Sequence, residues 1–136
     1  MTENRFRFRA WDKKNKRMLY NIQEAYEFGG VEDEKGNEVE DCYADCFSYF
    51  FLYDDNDKNE EFIVEQCTGL KDKNGRLIYE NDVVYCGHQD NCVVKWANGG
   101  FWVLGRNCII PCHAFTVHKW EVLGNVHENP ELLDDK

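Results

Sequence analysis

Lys71-Asp72-Lys73-Asn74-Gly75-Arg76-Leu77-Ile78-Tyr79-Glu80-Asn81-Asp82-Val83-Val84-Tyr85-Cys86 sets turn chemistry against β-forming residues twice in sixteen positions. Asn74-Gly75 is a strong hairpin signal, because both residue types accept positive φ. Arg76–Tyr79 then reads as a strand, Glu80-Asn81-Asp82 breaks it, and Val83–Cys86 resumes it. The same grammar continues downstream. Cys92–Ala97 and Phe101–Leu104 flank Asn98-Gly99-Gly100, a second tight turn, and Val117–Leu123 is a further strand. Asn129-Pro130-Glu131-Leu132-Leu133 closes the chain as a turn or single helical turn, with Pro suited to an early helical position. Several short strands joined by Gly-bearing turns predict a small closed barrel, which removes exposed edges.

Upstream, Arg5-Phe6-Arg7-Phe8-Arg9-Ala10-Trp11 alternates strictly. Period two over seven residues marks a half-buried strand with Phe6, Phe8 and Ala10 on one face. Asp12–Lys16 is a polar turn and Arg17–Ile22 a return strand, so the pair reads as a hairpin. Ala25–Phe28 is a short strand candidate ended by Gly29-Gly30, and Lys35-Gly36-Asn37 is a turn. Residues 41–53 read as a short helix running into an aromatic strand. Residues 54–61 read as an acidic loop, and Phe62–Cys67 as a strand.

The chain has 136 residues, 15% of them aromatic, which supports a packed core and excludes intrinsic disorder. Its longest apolar run, Tyr49–Tyr53, falls far short of the roughly 20 residues a membrane helix needs. Charge is lopsided. Residues 1–20 hold seven Lys/Arg against two Asp/Glu, residues 21–66 two against fifteen, and residues 67–136 seven against nine. The net charge of −10 opposes non-specific binding to phosphate backbones and favours solubility. Arg5, Arg7 and Arg9 share the polar face of the first strand, near Trp11, Lys13, Lys14, Lys16 and Arg17. That set could grip phosphates and stack a base, or pair with the acidic middle of the same chain.

Seven cysteines, an odd number, and no secretory leader at the N-terminus point to a reducing compartment, the cytoplasm. Cys42 and Cys46, and Cys108 and Cys112, are each spaced i, i+4. Cys108, Cys112 and His113 with Cys86 and His88 make a candidate zinc set, weighed against buried structural thiols. Asp55-Asn56-Asp57-Lys58-Asn59 opens like a calcium loop, but Glu60 stands where Gly is needed and Gln66 where a bidentate Glu is needed. Nucleophile elbows, phosphate loops, dinucleotide fingerprints and zinc-protease motifs are missing, so no catalytic, cofactor-binding or metal residue is assigned.

Four strings, in order, resemble the YopX family of phage and prophage proteins. They are Arg5 to Met18, Cys67 to Gly75, Ile78 to Val84, and Val122 to Leu133. The family commonly has Gly where this chain has Asn81, and Asn tolerates the left-handed turn next best. The resemblance implies a mostly β fold whose part from about Cys67 onward is SH3-like, and a phage or prophage origin. It implies no activity. Its recurrent letters read as turn glycines (Gly69, Gly75, Gly124), a turn-forming Asp82, and core Leu70, Ile78, Val84 and Val122.

The expected architecture is mainly β (β-rich α+β). Residues 1–66 form an N-terminal hairpin and an acidic, partly helical, aromatic-rich region, and residues 67–136 an SH3-like barrel. The expected function is non-enzymatic binding of a host or phage macromolecule, a protein first, through acidic residues such as Asp54, Asp55, Asp57, Glu60 and Glu61. The alternatives are nucleic-acid binding through Arg5, Arg7 and Arg9, or a metal-dependent Cys/His protein, and self-association is compatible with each.

Overall fold

The computed structural model describes residues 6–26, 29–39, 50, 61–87, 91–105, 109–113 and 117–133. The fold is mainly β, with curled antiparallel sheets and a half-barrel. The chain divides into two compact units, with the change between Gln66 and Cys67.

In the first unit, β1 (Phe8–Asp12) pairs with β2 (Arg17–Tyr20), Asp12 standing opposite Arg17. The predicted hairpin is present, with the first strand starting later and running through Asp12. The Asp12 carboxylate explains the turn. Its Oδ1 accepts from the Lys14 and Asn15 amides at 3.2 and 3.1 Å, and its Oδ2 accepts from Arg17 Nε at 3.2 Å. Ile22, expected to end the return strand, instead opens a 3-10 turn, Ile22–Glu24, after Asn21 takes a left-handed φ of 57°. Tyr26 forms only an isolated bridge with Gly29. The Lys35-Gly36-Asn37 turn is as expected: the Asp33 carboxylate accepts from the Lys35 and Asn37 amides, both at 2.9 Å, and Gly36 has φ +84°. Ala10, Leu19, Ile22, Val31, Val39, Phe50 and Phe62 form this unit's core, with Phe50 and Phe62 edge to face at 4.9 Å. Apart from Phe50, the predicted helix-to-strand segment 41–53 lies outside the described residues.

The next strand, β3 (Phe62–Lys71), runs ten residues, four beyond expectation. Its first half pairs with β1 and its second half with β4 (Leu77–Tyr79). Gly69, read from sequence as a turn glycine, lies inside β3 at φ +85°, where the register shifts between Cys67 and Lys71. Only Gly can enter such a bulge without strain.

In the second unit, β5 (Asp82–Tyr85), β6 (Cys92–Ala97), β7 (Gly100–Leu104), β8 (Ile109–Pro111) and β9 (Glu121–Asn125) pair in the order β8-β7-β6-β5-β9. Among the described residues the ladder runs from β8 to β9, a half-barrel in place of the full closure expected. The predicted tight turn is present but shorter: Asn98 (φ 52°) and Gly99 (φ 81°) form it, and Gly100 already belongs to β7. At Asn74-Gly75 only Gly75 is left-handed, so the loop is of another kind. Val117 lies in a helical turn, not a strand, its amide donating to the His113 carbonyl at 3.1 Å, and β9 begins at Glu121. Ile78, Val84, Cys92, Val94, Val103, Val117, Trp120 and Val122 form the core. Pro130–Leu133 is a single 3-10 turn.

Candidate functional site

Four acidic or amide side chains, Asp72, Asp82, Asn125 and Asn129, fix the loops of the second unit. Asp72 is buried, and its two oxygens serve three backbone amides: Oδ1 accepts from Asn74 and Arg76, and Oδ2 from Val122, all at 2.9 Å. These bonds explain the unexpected Asn74-Gly75 loop and fasten it to β9. Asp82 Oδ2 accepts from the Tyr79 amide at 2.8 Å. Asn125, also buried, accepts from the His127 and Glu128 amides through Oδ1 and donates to Glu128 Oε2 through Nδ2. Asn129 Oδ1 accepts from the Asn125 amide at 3.2 Å and lies where a Cβ on Gly124 would stand. Gly124 is therefore a strand residue required by close approach, not a turn glycine. Asn81 takes the left-handed φ, 67°, that its position asks for. Its amide donates to the Val94 carbonyl and its carbonyl accepts from Val126.

The basic strand folds differently from a phosphate-binding face. Arg9 is 1% exposed, and its Nε donates to Glu65 Oε1 at 2.7 Å directly across the β1–β3 pairing. The acidic middle of the chain thus supplies its counter-ion, as the intramolecular alternative holds. Arg7 is half-buried and donates to Asn21 Oδ1 at 3.4 Å. Arg17 pairs with Asp12. Lys14 and Lys16 are the exposed cations of the turn. Arg5 and the acidic residues Asp54, Asp55, Asp57 and Glu60, with the calcium-like string, lie outside the described residues. Glu61 is described and exposed.

Of the predicted cysteine and histidine set, the structure gathers thiols. Cys86 Sγ and Cys92 Sγ are 3.5 Å apart. Burial, with Cys86 nearby adding to it, pushes the Cys112 thiol up from 9.0 to about 12. Cys67, Cys86, Cys92 and Cys112 are all reduced. His88, Cys108, Cys42 and Cys46 lie outside the described residues. Among those described, no three His, Cys, Asp or Glu side chains are placed to hold a metal ion.

A further surface comes from register. Val94 and Val103 face the core, so alternation puts Val93, Lys95, Trp102 and Leu104 on the other face. Pairing then builds two rows across three strands, Val93–Leu104–Ile109 and Lys95–Trp102–Pro111. Ile109 is 70% and Leu104 38% exposed. Trp102 is half-buried, its Nε1 donating to the Ala97 carbonyl at 3.0 Å. At the end of the core face, Trp96 is 52% exposed and edge to face with Phe101 at 4.8 Å.

The model of the YopX protein family matches residues 7–134. The chain belongs to the YopX family. The chain is similar to two solved structures. One is protein EF1440 from Enterococcus faecalis, at 26% identity and TM-score 0.63, covering 94% of this chain and 97% of that one. The other is protein yopX from Bacillus subtilis, at 21% identity and TM-score 0.55, covering 96% and 98%. No curated protein matches the chain.

The YopX strings thus locate the residues that hold turns and bulges, and their geometry is now explicit. Sequence reasoning missed the apolar rows. The available signal was the run of apolar residues on both faces of Cys92–Ala97 and Phe101–Leu104. Such a run fits a sheet covered on both sides, and here part of one side is exposed.

Proposed function

We propose that this YopX-family chain is a phage- or prophage-encoded accessory protein of the host cytoplasm. It acts as a non-enzymatic binding module for a host or phage protein. The second unit serves as a small SH3-like platform, and the acidic segment around Asp54–Glu61 draws in a basic partner. The observation that carries this reading is the exposed apolar face, with Leu104 and Ile109 in register across β7 and β8. Contiguous exposed apolar surface of this kind marks interaction sites. Arg9, buried against Glu65, does not offer its guanidinium to phosphate, which weighs against the nucleic-acid alternative.

The test is quantitative co-purification from host lysate. Two variants are compared with the unmodified chain: Leu104→Asp with Ile109→Asp, and neutralisation of Asp54, Asp55, Asp57, Glu60 and Glu61 to amides. The first variant loses the captured protein. The second weakens capture most at low salt, where charge steering is strongest. Capture that survives both changes refutes the reading.

A further inference from the structure

The thiols of Cys86 and Cys92 belong to neighbouring strands. Cys92 opens β6 and is fully buried, and its backbone partner is Val84. Cys86 follows β5 by one residue, two beyond Val84, so both side chains lie on the core face. Cys86 is half-buried. The sulfurs are 3.5 Å apart. A disulfide needs about 2.05 Å, so roughly 1.5 Å of approach closes the bond. Gly87, next in the chain, has φ +89° and open space around its Cα, so the strand end has room to adjust.

We propose that Cys86 and Cys92 form a redox modification site, a dithiol that hydrogen peroxide converts to an intramolecular disulfide and that a thiol reductant restores. The Cys86 thiolate attacks a peroxide oxygen, the O–O bond breaks, and a sulfenic acid forms as water leaves with the Cys86 proton. The Cys92 sulfur then attacks the sulfenic sulfur. The S–S bond forms, the S–O bond breaks, and a second water leaves with the Cys92 proton. Two electrons pass from the sulfurs to the peroxide. Cys112 is the third thiol of this neighbourhood. Its raised pKa keeps it protonated and a poor nucleophile. The disulfide closes the loop 86–92. Within that loop, the Asn91 side-chain amide donates to the Leu132 carbonyl at 2.8 Å, so oxidation is felt at the 3-10 turn 130–133.

The test uses the full folded chain and hydrogen peroxide, followed by N-ethylmaleimide added in guanidinium chloride so that buried thiols are reached. Trypsin releases Leu77–Lys95 as one peptide holding both cysteines, because Arg76 and Lys95 bound it and no Lys or Arg lies between. The expected result is a peptide lighter by two hydrogens and unlabelled, with both labels restored by dithiothreitol. Cys86→Ser, a change at a half-buried position, removes the two-hydrogen loss altogether and leaves Cys92 available to the label. Phenylarsine oxide, which bridges paired thiols, protects both cysteines of the unmodified chain from maleimide and loses at least tenfold in affinity for Cys86→Ser. The proposal is overturned if both thiols stay labelled while other cysteines oxidise. It is equally overturned if Cys86 links to Cys112, or if phenylarsine oxide protects neither thiol.

Discussion

Arg9 and Glu65 place one full charge of each sign out of water, 2.7 Å apart and each 1% exposed. Removing one partner strands the other, so Arg9→Ala or Glu65→Ala lowers unfolding free energy by about 3–5 kcal/mol. Replacing both by Met and Leu recovers most of that loss, and a double-mutant cycle in urea measures it. Gly124→Ala drives its Cβ against Asn129 Oδ1 and costs about 1–3 kcal/mol by overpacking. Adding Asn129→Ser relieves part of the clash. Cys112 gives a pH signature. The unfolded thiol loses its proton near 9.0 and the folded one near 12, so the folded state holds more protons in between. Stability therefore falls as pH rises through that window, and the fall is shallower in Cys112→Ser, as alkaline urea titrations will show. At this scale the letters of the four YopX strings were legible as structural residues, and their partners were not. Arg9 illustrates why. Alternation placed it on a polar face, but nothing local reports that Glu65, 56 residues on, stands across from it.

Element boundaries followed local rules where chemistry was local. The β1–β2 hairpin was legible because alternation and turn residues agree, and Asp12 bonds within its own turn. The Asn98-Gly99 turn was legible because both φ angles are positive. Asn74-Gly75 looked alike and differs because Asp72 captures the Asn74 and Arg76 amides. Strand β8 escaped notice: three residues ending in Pro carry no period, and among the described residues its ladder partner is β7. Gly99→Ala costs about 1–2 kcal/mol, the strain of a left-handed L residue, read from the shift in urea midpoint. Ile109→Asp, on an exposed position of β8, changes stability by about 0.5 kcal/mol or less.

Over the whole chain, the negative charge is concentrated in residues 21–66, where fifteen acidic residues meet two basic ones. That concentration was plain in composition, whereas the apolar rows required the sheet register. The four signature strings serve shape in this account, and the proposed recognition is assigned to the exposed apolar face and the acidic segment. Membrane crossing by a helix has no support, since no described helix is long and apolar enough. The most direct test sets Asp72→Ala beside Ile109→Asp and measures thermal melting and protein capture for both. Asp72→Ala leaves three backbone amides without their acceptor and costs about 3 kcal/mol. The account predicts a lower melting temperature with unchanged capture per folded molecule for Asp72→Ala, and unchanged melting with lost capture for Ile109→Asp. Lost capture at unchanged melting for Asp72→Ala, with Ile109→Asp binding normally, would contradict it.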